Sequence, residues 1–373
     1  MLPDIEALVT CESPSTDLGA VAASAQVVAR VGAAHLGAEP ELIDIDGRGH
    51  LRWRFGTGAR RVLVLGHHDT VWPLGSLHTH PFRVDDGVLR GPGCFDMKAG
   101  VVMAFAAIAA LADPSGITLL ITGDEEIGSP TSRALIEDEA RGCAAALVLE
   151  ASADGGALKV ERKGVSLYDI EVDGRAAHAG LEPERGVNAT IEVAHQALAL
   201  AALADGDAGT TVTPTVMSAG TSTNTVPARA RLSVDVRTRR RAEQDRVDAA
   251  VRALRPVVDG ARIEVHGGPN RPPLERSAAA ELFARAALIA RDLGHPPLRG
   301  VAVGGASDGN FTAGVGTPTL DGLGAVGGGA HSDDEHVLIA ELAPRTELVR
   351  ALLADLLTSG ATKAAAAAGT DRP

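Results

Sequence analysis

Three continuous apolar runs constrain the fold most: Arg61-Val-Leu-Val-Leu-Gly66, Ile117-Thr-Leu-Leu-Ile-Thr122 and Ala144-Ala-Ala-Leu-Val-Leu149. A run without polar alternation is a strand buried on both faces. Helices are expected at Asp17 to His35 and, Ala-rich, at Lys98 to Leu111. Strands alternating with such helices need crossover connections, which gives a mainly parallel α/β sheet flanked by helices. In such a sheet, reactive side chains belong in loops at the carboxyl ends of the strands.

From about Lys163 the texture changes. Val165-Ser-Leu-Tyr-Asp-Ile-Glu-Val172 and Ala230-Arg-Leu-Ser-Val-Asp-Val236 alternate apolar with polar, the mark of a sheet with one wetted face. With helices near 188–203 and 241–255 and a strand at 261–266, the stretch reads β-α-β-β-α-β, an inserted α+β ferredoxin-like domain. The Pro/Gly-rich Gly267-Gly-Pro-Asn-Arg-Pro-Pro273 is its exit. A helix at about 278–293 then returns the chain to the first domain. The expected boundaries are 1–162 with 273–362 for the first domain, 163–272 for the insert, and 363–373 for a flexible, low-complexity tail.

The formal net charge of −13 and the lack of a basic stripe, beyond a short run at Arg237, Arg239, Arg240 and Arg241, exclude a nucleic-acid backbone as partner. No apolar stretch has the length of a membrane span, and the start lacks a secretory pattern. Cys11, Cys94 and Cys143 have no C-x-x-C spacing, so neither a thiolate metal site nor a disulfide framework is expected. A reducing, cytoplasmic setting fits.

Four clusters of metal-ligand residue types stand just past the apolar strands: Gly66-His-His-Asp-Thr70, Cys94-Phe-Asp-Met-Lys98, Gly123-Asp-Glu-Glu-Ile127 and Leu149-Glu150. A fifth, Gly329-Ala-His-Ser332, comes late in the chain. Each alone has an ordinary reading. A single His after a strand is more often a hydrogen-bonded loop residue than a ligand. Asp-Glu-Glu is usually a solvated face or a first helical turn, and Asp96 before Met97 suits an N-cap. Their repetition at strand ends is what points to metal. Imidazole and carboxylate without thiolate suit zinc, manganese or cobalt, and several carboxylates balance the charge of two divalent ions.

The segments His67-His-Asp-Thr-Val-Trp-Pro73, Pro81-Phe-Arg83, Gly91-Pro-Gly-Cys-Phe-Asp-Met-Lys98, Asp124-Glu-Glu-Ile-Gly-Ser129, Glu150 and His331-Ser-Asp-Asp-Glu335 together resemble one family. It is the two-zinc metallopeptidases that include acetylornithine deacetylase, succinyl-diaminopimelate desuccinylase, aminoacylase and carboxypeptidase G. The glutamate carboxypeptidase branch is the most similar. Ala177-His-Ala-Gly180, Asn224-Thr-Val-Pro227, Asp235-Val-Arg237 and Gly304-Gly-Ala-Ser-Asp308 add to the likeness.

The resemblance implies a phosphorylase/hydrolase-like catalytic domain and an inserted lid/dimerisation domain through which the chain forms a homodimer. It implies His67, Asp96, Glu126, Glu150 and His331 as ligands of two divalent ions, zinc with cobalt or manganese as alternatives, and Asp96 as the bridge. Glu125 becomes the general base. Asp69 would orient the His67 imidazole, with His68 pointing away. His178 would steady the oxyanion, reaching the site from the partner subunit in dimeric relatives. Arg237 and Asn224 would hold the substrate carboxylate, with backbone amides of Gly304 and Gly305. Two departures stand out: Phe95, where relatives carry a small residue, is expected to alter the pocket wall, and Lys98-Ala-Gly100 replaces Lys-Gly-Gly.

The expected activity is metal-dependent cleavage of an amide bond beside a free carboxylate in a small-molecule substrate, releasing an amino acid such as glutamate from an N-acyl or N-aroyl derivative. A deacylase of N-acetyl or N-succinyl intermediates and a silent metal-binding member are the alternatives. The silent member should have lost a ligand or the base, and every such position is filled.

Overall fold

All three apolar runs become neighbouring parallel strands. The computed structural model describes residues 1–59 and 61–368, with side chains through residue 358. Val62–His67 lies between Ile117–Thr122 and Ala145–Val148, and all residues of these strands are buried. In register, Leu65 faces Leu120 on one side and Val148 on the other, so the three strands end at one edge. Thr319–Leu320 extends the sheet in parallel beyond Ala145–Val148.

The opposite edge is an antiparallel hairpin of Glu41–Ile45 and Arg48–Arg54, of which Arg48–Arg54 pairs antiparallel with Ile117–Thr122 and Glu41–Ile45 is the outer strand. Its two-residue turn, Asp46 and Gly47, has both φ angles positive, 52° and 77°, the twist that suits a tight hairpin.

Helices cover the sheet. Leu18–Leu36 starts where the Asp17 carboxylate accepts the Ala20 N–H at 2.9 Å. Ala99–Ala109 is apolar nearly all round and packs with Ile339–Ala368 into the main core. Trp53 meets Phe105 edge-on at 5.5 Å between ring centroids. Gly100 is required by close approach, because a Cβ there would lie 2.1 Å from the Leu149 carbonyl oxygen, beside Glu150. The last helix includes residues 363–368, where the sequence suggests a tail, and 369–373 lie outside the described residues.

Two compact units divide the chain: Met1–Glu161, Leu274–Val303 and Ser307 onward form the first, and Arg162–Pro273 with Gly304–Ala306 the second. The second holds an antiparallel sheet ordered Thr211–Ala219, Arg229–Thr238, Gly164–Asp173 and Arg262–Arg271. Tyr168, Ile170, Val172, Leu232, Val234 and Val236 fill one face, packed with Val193, Val247 and Val251 of the helices Ala189–Ala201 and Arg241–Arg252. Among the described residues no helix is long and apolar enough to cross a membrane.

Candidate metal centre

His67 is the last residue of its strand, and Glu150 lies two residues past the end of Ala145–Val148. Glu125 and Glu126 sit in a three-residue turn beyond Ile117–Thr122, and Asp96 in the turn before Ala99–Ala109. These loops converge with the one carrying His331. His67 Nε2 is 3.4 Å from Asp96 Oδ1 and 3.6 Å from Glu150 Oε1. His331 Nε2 is 3.3 Å from Asp96 Oδ2 and 3.1 Å from Glu126 Oε2. Each oxygen of Asp96 therefore faces a different imidazole. Glu125 also joins His67 and Glu150, with one ligand atom of each lying within 4.8 Å of the others.

The donor set fits a pair of divalent cations. His67 Nε2, Asp96 Oδ1 and Glu126 Oε1 are buried and have no hydrogen-bond partner. Such orphans are costly in a folded protein unless something answers them. With Nδ1–H donating to the Asp69 carbonyl at 3.0 Å, the His67 Nε2 lone pair faces two carboxylate oxygens, an arrangement that repels without a cation between them. Hydrogen bonds that the His331 ring donates to Asp96 and Glu126 lift its pKa to about 10. Burial raises Glu126, whereas in Asp96 the two imidazoles outweigh burial and hold it below the usual carboxylate range.

Asp69 is fully buried and ties two loops together. Its Oδ2 accepts the Ser15 hydroxyl at 2.6 Å and the Glu126 N–H at 3.2 Å, and its Oδ1 accepts the Glu125 N–H at 3.1 Å. The carboxylate lies 3.4 Å from His67 Nδ1, so the closer contact to that ring is the Asp69 backbone carbonyl. Burial works against the Asp69 anion, but His67 outweighs it and holds the group at about 2. His68 is turned instead toward the Ser24 hydroxyl and the Gly49 carbonyl, both at 3.1 Å.

Two further carboxylates fix the Glu125–Glu126 turn. Asp124 accepts the Thr131 N–H and hydroxyl, both at 2.7 Å, and Asp308 accepts the hydroxyls of Thr122 and Ser129. Sequence reasoning missed Ser15 and left Asp308 without a role, because their partners are remote in the chain. Phe95, expected at a pocket wall, is only 5% exposed and packs in the main core.

The second unit carries the other candidates at two separate places. His178 pairs with Thr225 in an isolated antiparallel bridge, and the Ala179 N–H donates to the Asn224 carbonyl at 2.9 Å. His178 Nδ1 accepts the N–H groups of Gly180 and Leu181 at 3.2 and 3.1 Å. The ring proton then belongs on Nε2, a donor on an exposed side chain. Arg237 lies near the far end of Arg229–Thr238, where its guanidinium grips Asp235 through Nε and Nη2, each at 2.8 Å. Arg162 donates to the carbonyls of Gly305 and Ala306 at 3.2 Å. Since Gly164, two residues on, pairs with Thr238, Gly304 and Gly305 belong to the Arg237 end. A Cβ on either glycine would meet nothing within 4 Å. Asn224 and His178 sit beyond the other end, where Arg229 pairs with Asp173. Eight residues of extended strand span roughly 26 Å.

Residues 63–355 match the profile of Peptidase family M20/M25/M40. The chain is 31% identical over 311 residues to carboxypeptidase G2 of Pseudomonas sp. (strain RS-16), covering 81% of this chain and 75% of that protein. It is 35% identical over 179 residues to a succinyl-diaminopimelate desuccinylase of Rhodopseudomonas palustris (strain BisA53), over 43% of this chain and 45% of that protein. Its fold is similar to the aminopeptidase PepT of Bacillus cereus ATCC 10987, with a TM-score of 0.72 and 23% identity across 95% of this chain and 97% of that one. The chain belongs to Peptidase family M20/M25/M40 and is a metal-dependent enzyme of the peptidase and amidohydrolase type.

Proposed function

We propose that the enzyme hydrolyses an amide bond next to a free carboxylate, releasing an amino acid such as glutamate from an N-acyl or N-aroyl amino acid or small peptide. The observation that carries this reading is the Asp96 carboxylate, whose two oxygens face His67 at 3.4 Å and His331 at 3.3 Å. In it, His67, Asp96, Glu126, Glu150 and His331 would hold two divalent ions, with Asp96 as the ligand they would share. Three ligand carboxylates leave a pair of divalent ions with one net positive charge, which Glu125 offsets. Bound zinc, or cobalt or manganese in its place, supplies Lewis acidity toward the scissile carbonyl and acidifies water.

The chain's own groups do the rest. Glu125, 7% exposed and held by its backbone to Asp69, takes a proton from the attacking water and returns it to the leaving amine nitrogen. His178 donates from Nε2 to the developing oxyanion. Arg237, with the amides of Gly304 and Gly305, receives the substrate carboxylate. Because Nε and Nη2 of Arg237 already grip Asp235, that carboxylate meets the remaining N–H groups of the fork. The strand-length separation within the second unit supports a homodimer in which His178 and Asn224 serve the metal centre of another copy.

The test is a panel of N-aroyl, N-acetyl and N-succinyl amino acids, with and without glutamate, assayed with zinc or cobalt supplied. Metal-dependent release from the N-acyl or N-aroyl glutamates is the expected result. The partial likeness to a succinyl-diaminopimelate desuccinylase supports a second reading, an N-succinyl deacylase, which the same panel separates by substrate preference. Absence of turnover on every member would sink both.

A further inference from the structure

Glu335 is 4% exposed and surrounded by donors. Its Oε1 accepts the N–H groups of Phe95 at 2.8 Å and Asp96 at 3.0 Å. Its Oε2 accepts the Gly93 N–H at 2.9 Å and the Trp72 indole N–H at 2.6 Å. Four donors fill four acceptor sites, the full capacity of an ionised carboxylate. The donors come from two loops: Trp72 lies five residues past His67, while Gly93, Phe95 and Asp96 form the turn whose last member faces both imidazoles. Glu335 itself is four residues past His331. One side chain thus pins together the chain segments that bear His67, Asp96 and His331.

We infer that Glu335 is a positioning residue that sets the Asp96 backbone, and through it the shared carboxylate, for a two-ion centre. This rests on the reading of Asp96 and His331 as ligands. Among the described residues, Glu335 is the side chain that accepts the amide of Asp96. An amide at position 335 keeps one oxygen but turns an NH2 group toward N–H donors, so at least two of the four bonds fail. The Asp96 turn then loses its register while Asp96 itself is untouched. Outer partners of metal ligands typically govern affinity by about 10–100-fold.

The experiment strips the purified full-length protein of metal and titrates Zn²⁺ and Co²⁺ back by calorimetry and chelator competition, alongside the visible spectrum of the cobalt form and the melting temperature of the metal-free form. Glu335→Gln is expected to weaken at least one dissociation constant by about 10–100-fold and to change the cobalt spectrum. Trp72→Phe removes a single donor and leaves the carboxylate in place. It is expected to weaken binding by up to about tenfold, and it decides the matter if Glu335→Gln does not fold. A folded Glu335→Gln protein with wild-type constants and spectrum, whatever its melting temperature, overturns the inference, as does an unaltered Trp72→Phe protein if only that variant folds. A wild-type protein that binds neither ion overturns the metal reading beneath it.

Discussion

The Asp69 carboxylate accepts the backbone N–H of Glu125 at 3.1 Å while its own backbone carbonyl holds the His67 ring at 3.0 Å. One residue therefore sets both a candidate ligand and the candidate base, by different atoms. Asp69→Asn keeps the carbonyl contact to His67 but replaces one carboxylate oxygen with a donor facing the amides of Glu125 or Glu126. Metal affinity should fall by less than activity, with kcat reduced about 10–100-fold. Comparing kcat with zinc stoichiometry checks this; a variant that loses metal but retains kcat when saturated with zinc would contradict it.

Glu125 can be grouped either as a base or, with His67 and Glu150, as a ligand. Removing a general base costs about 10²–10⁴ in rate. Glu125→Gln is expected to fall in that range with two ions per chain still bound. Elemental analysis of the purified variant separates the readings, since loss of an ion along with activity would make Glu125 a ligand.

Much of this arrangement is legible as sequence because burial on both faces writes itself in letters. Val62–His67, Ile117–Thr122 and Ala145–Val148 are continuous apolar runs, and four of the five candidate ligands, His67, Asp96, Glu126 and Glu150, end them, follow them or precede the next helix. His331 follows no such run, and only the family resemblance picks it out. The Glu41–Ile45 and Arg48–Arg54 hairpin carried a readable signal in Asp46-Gly47, the residue pair suited to two positive φ angles. The edge strand Thr211–Ala219 has no comparable signature: Pro214 interrupts it and most of it is exposed, so no apolar run marks it. Most contacts of Asp69 and Glu335 are with backbone amides, which every residue but proline owns, and their side-chain partners Ser15 and Trp72 are remote in the chain, so no letter announces them.

His50 contributes a pH dependence of stability. It is buried, its Nδ1 accepts the Gly123 N–H at 3.2 Å, and its Nε2 meets the Thr131 hydroxyl at 3.0 Å. Burial lowers its pKa below 6.5, outweighing the nearby carboxylates of Asp124 and Asp69, with Arg48 adding to the depression. As pH falls below 6.5 the unfolded chain takes up a proton that the folded state resists, so stability drops; above 6.5 the group is neutral in both states and the effect vanishes. Melting temperatures measured from pH 8 to pH 5 should decline on acidification, and less steeply for His50→Gln. His68, also buried and lowered to about 4, adds to the slope in both proteins, so the difference between them belongs to His50. Equal slopes would remove it.

The last prediction follows from the length of one strand. Arg237 pairs with Val165 near one end of Arg229–Thr238, while Asn224 and His178 lie past the other end, where Arg229 pairs with Asp173. Roughly 26 Å of extended chain separates the two places, too far for both to touch one amino-acid-sized substrate. If all act in one reaction, they come from different copies. Glu125→Gln and His178→Ala should each be nearly inactive alone. Mixed and allowed to exchange subunits, half of the dimers carry one of each chain, and each such dimer holds one site with an intact base and an intact imidazole. Activity should return to about a quarter of wild type, one good site in four, as two-fold symmetry requires. Recovery proportional to the mixed-dimer fraction, followed by native mass spectrometry, is the expected outcome; mixtures that stay inactive despite exchange would confine His178 to its own chain or remove it from the reaction.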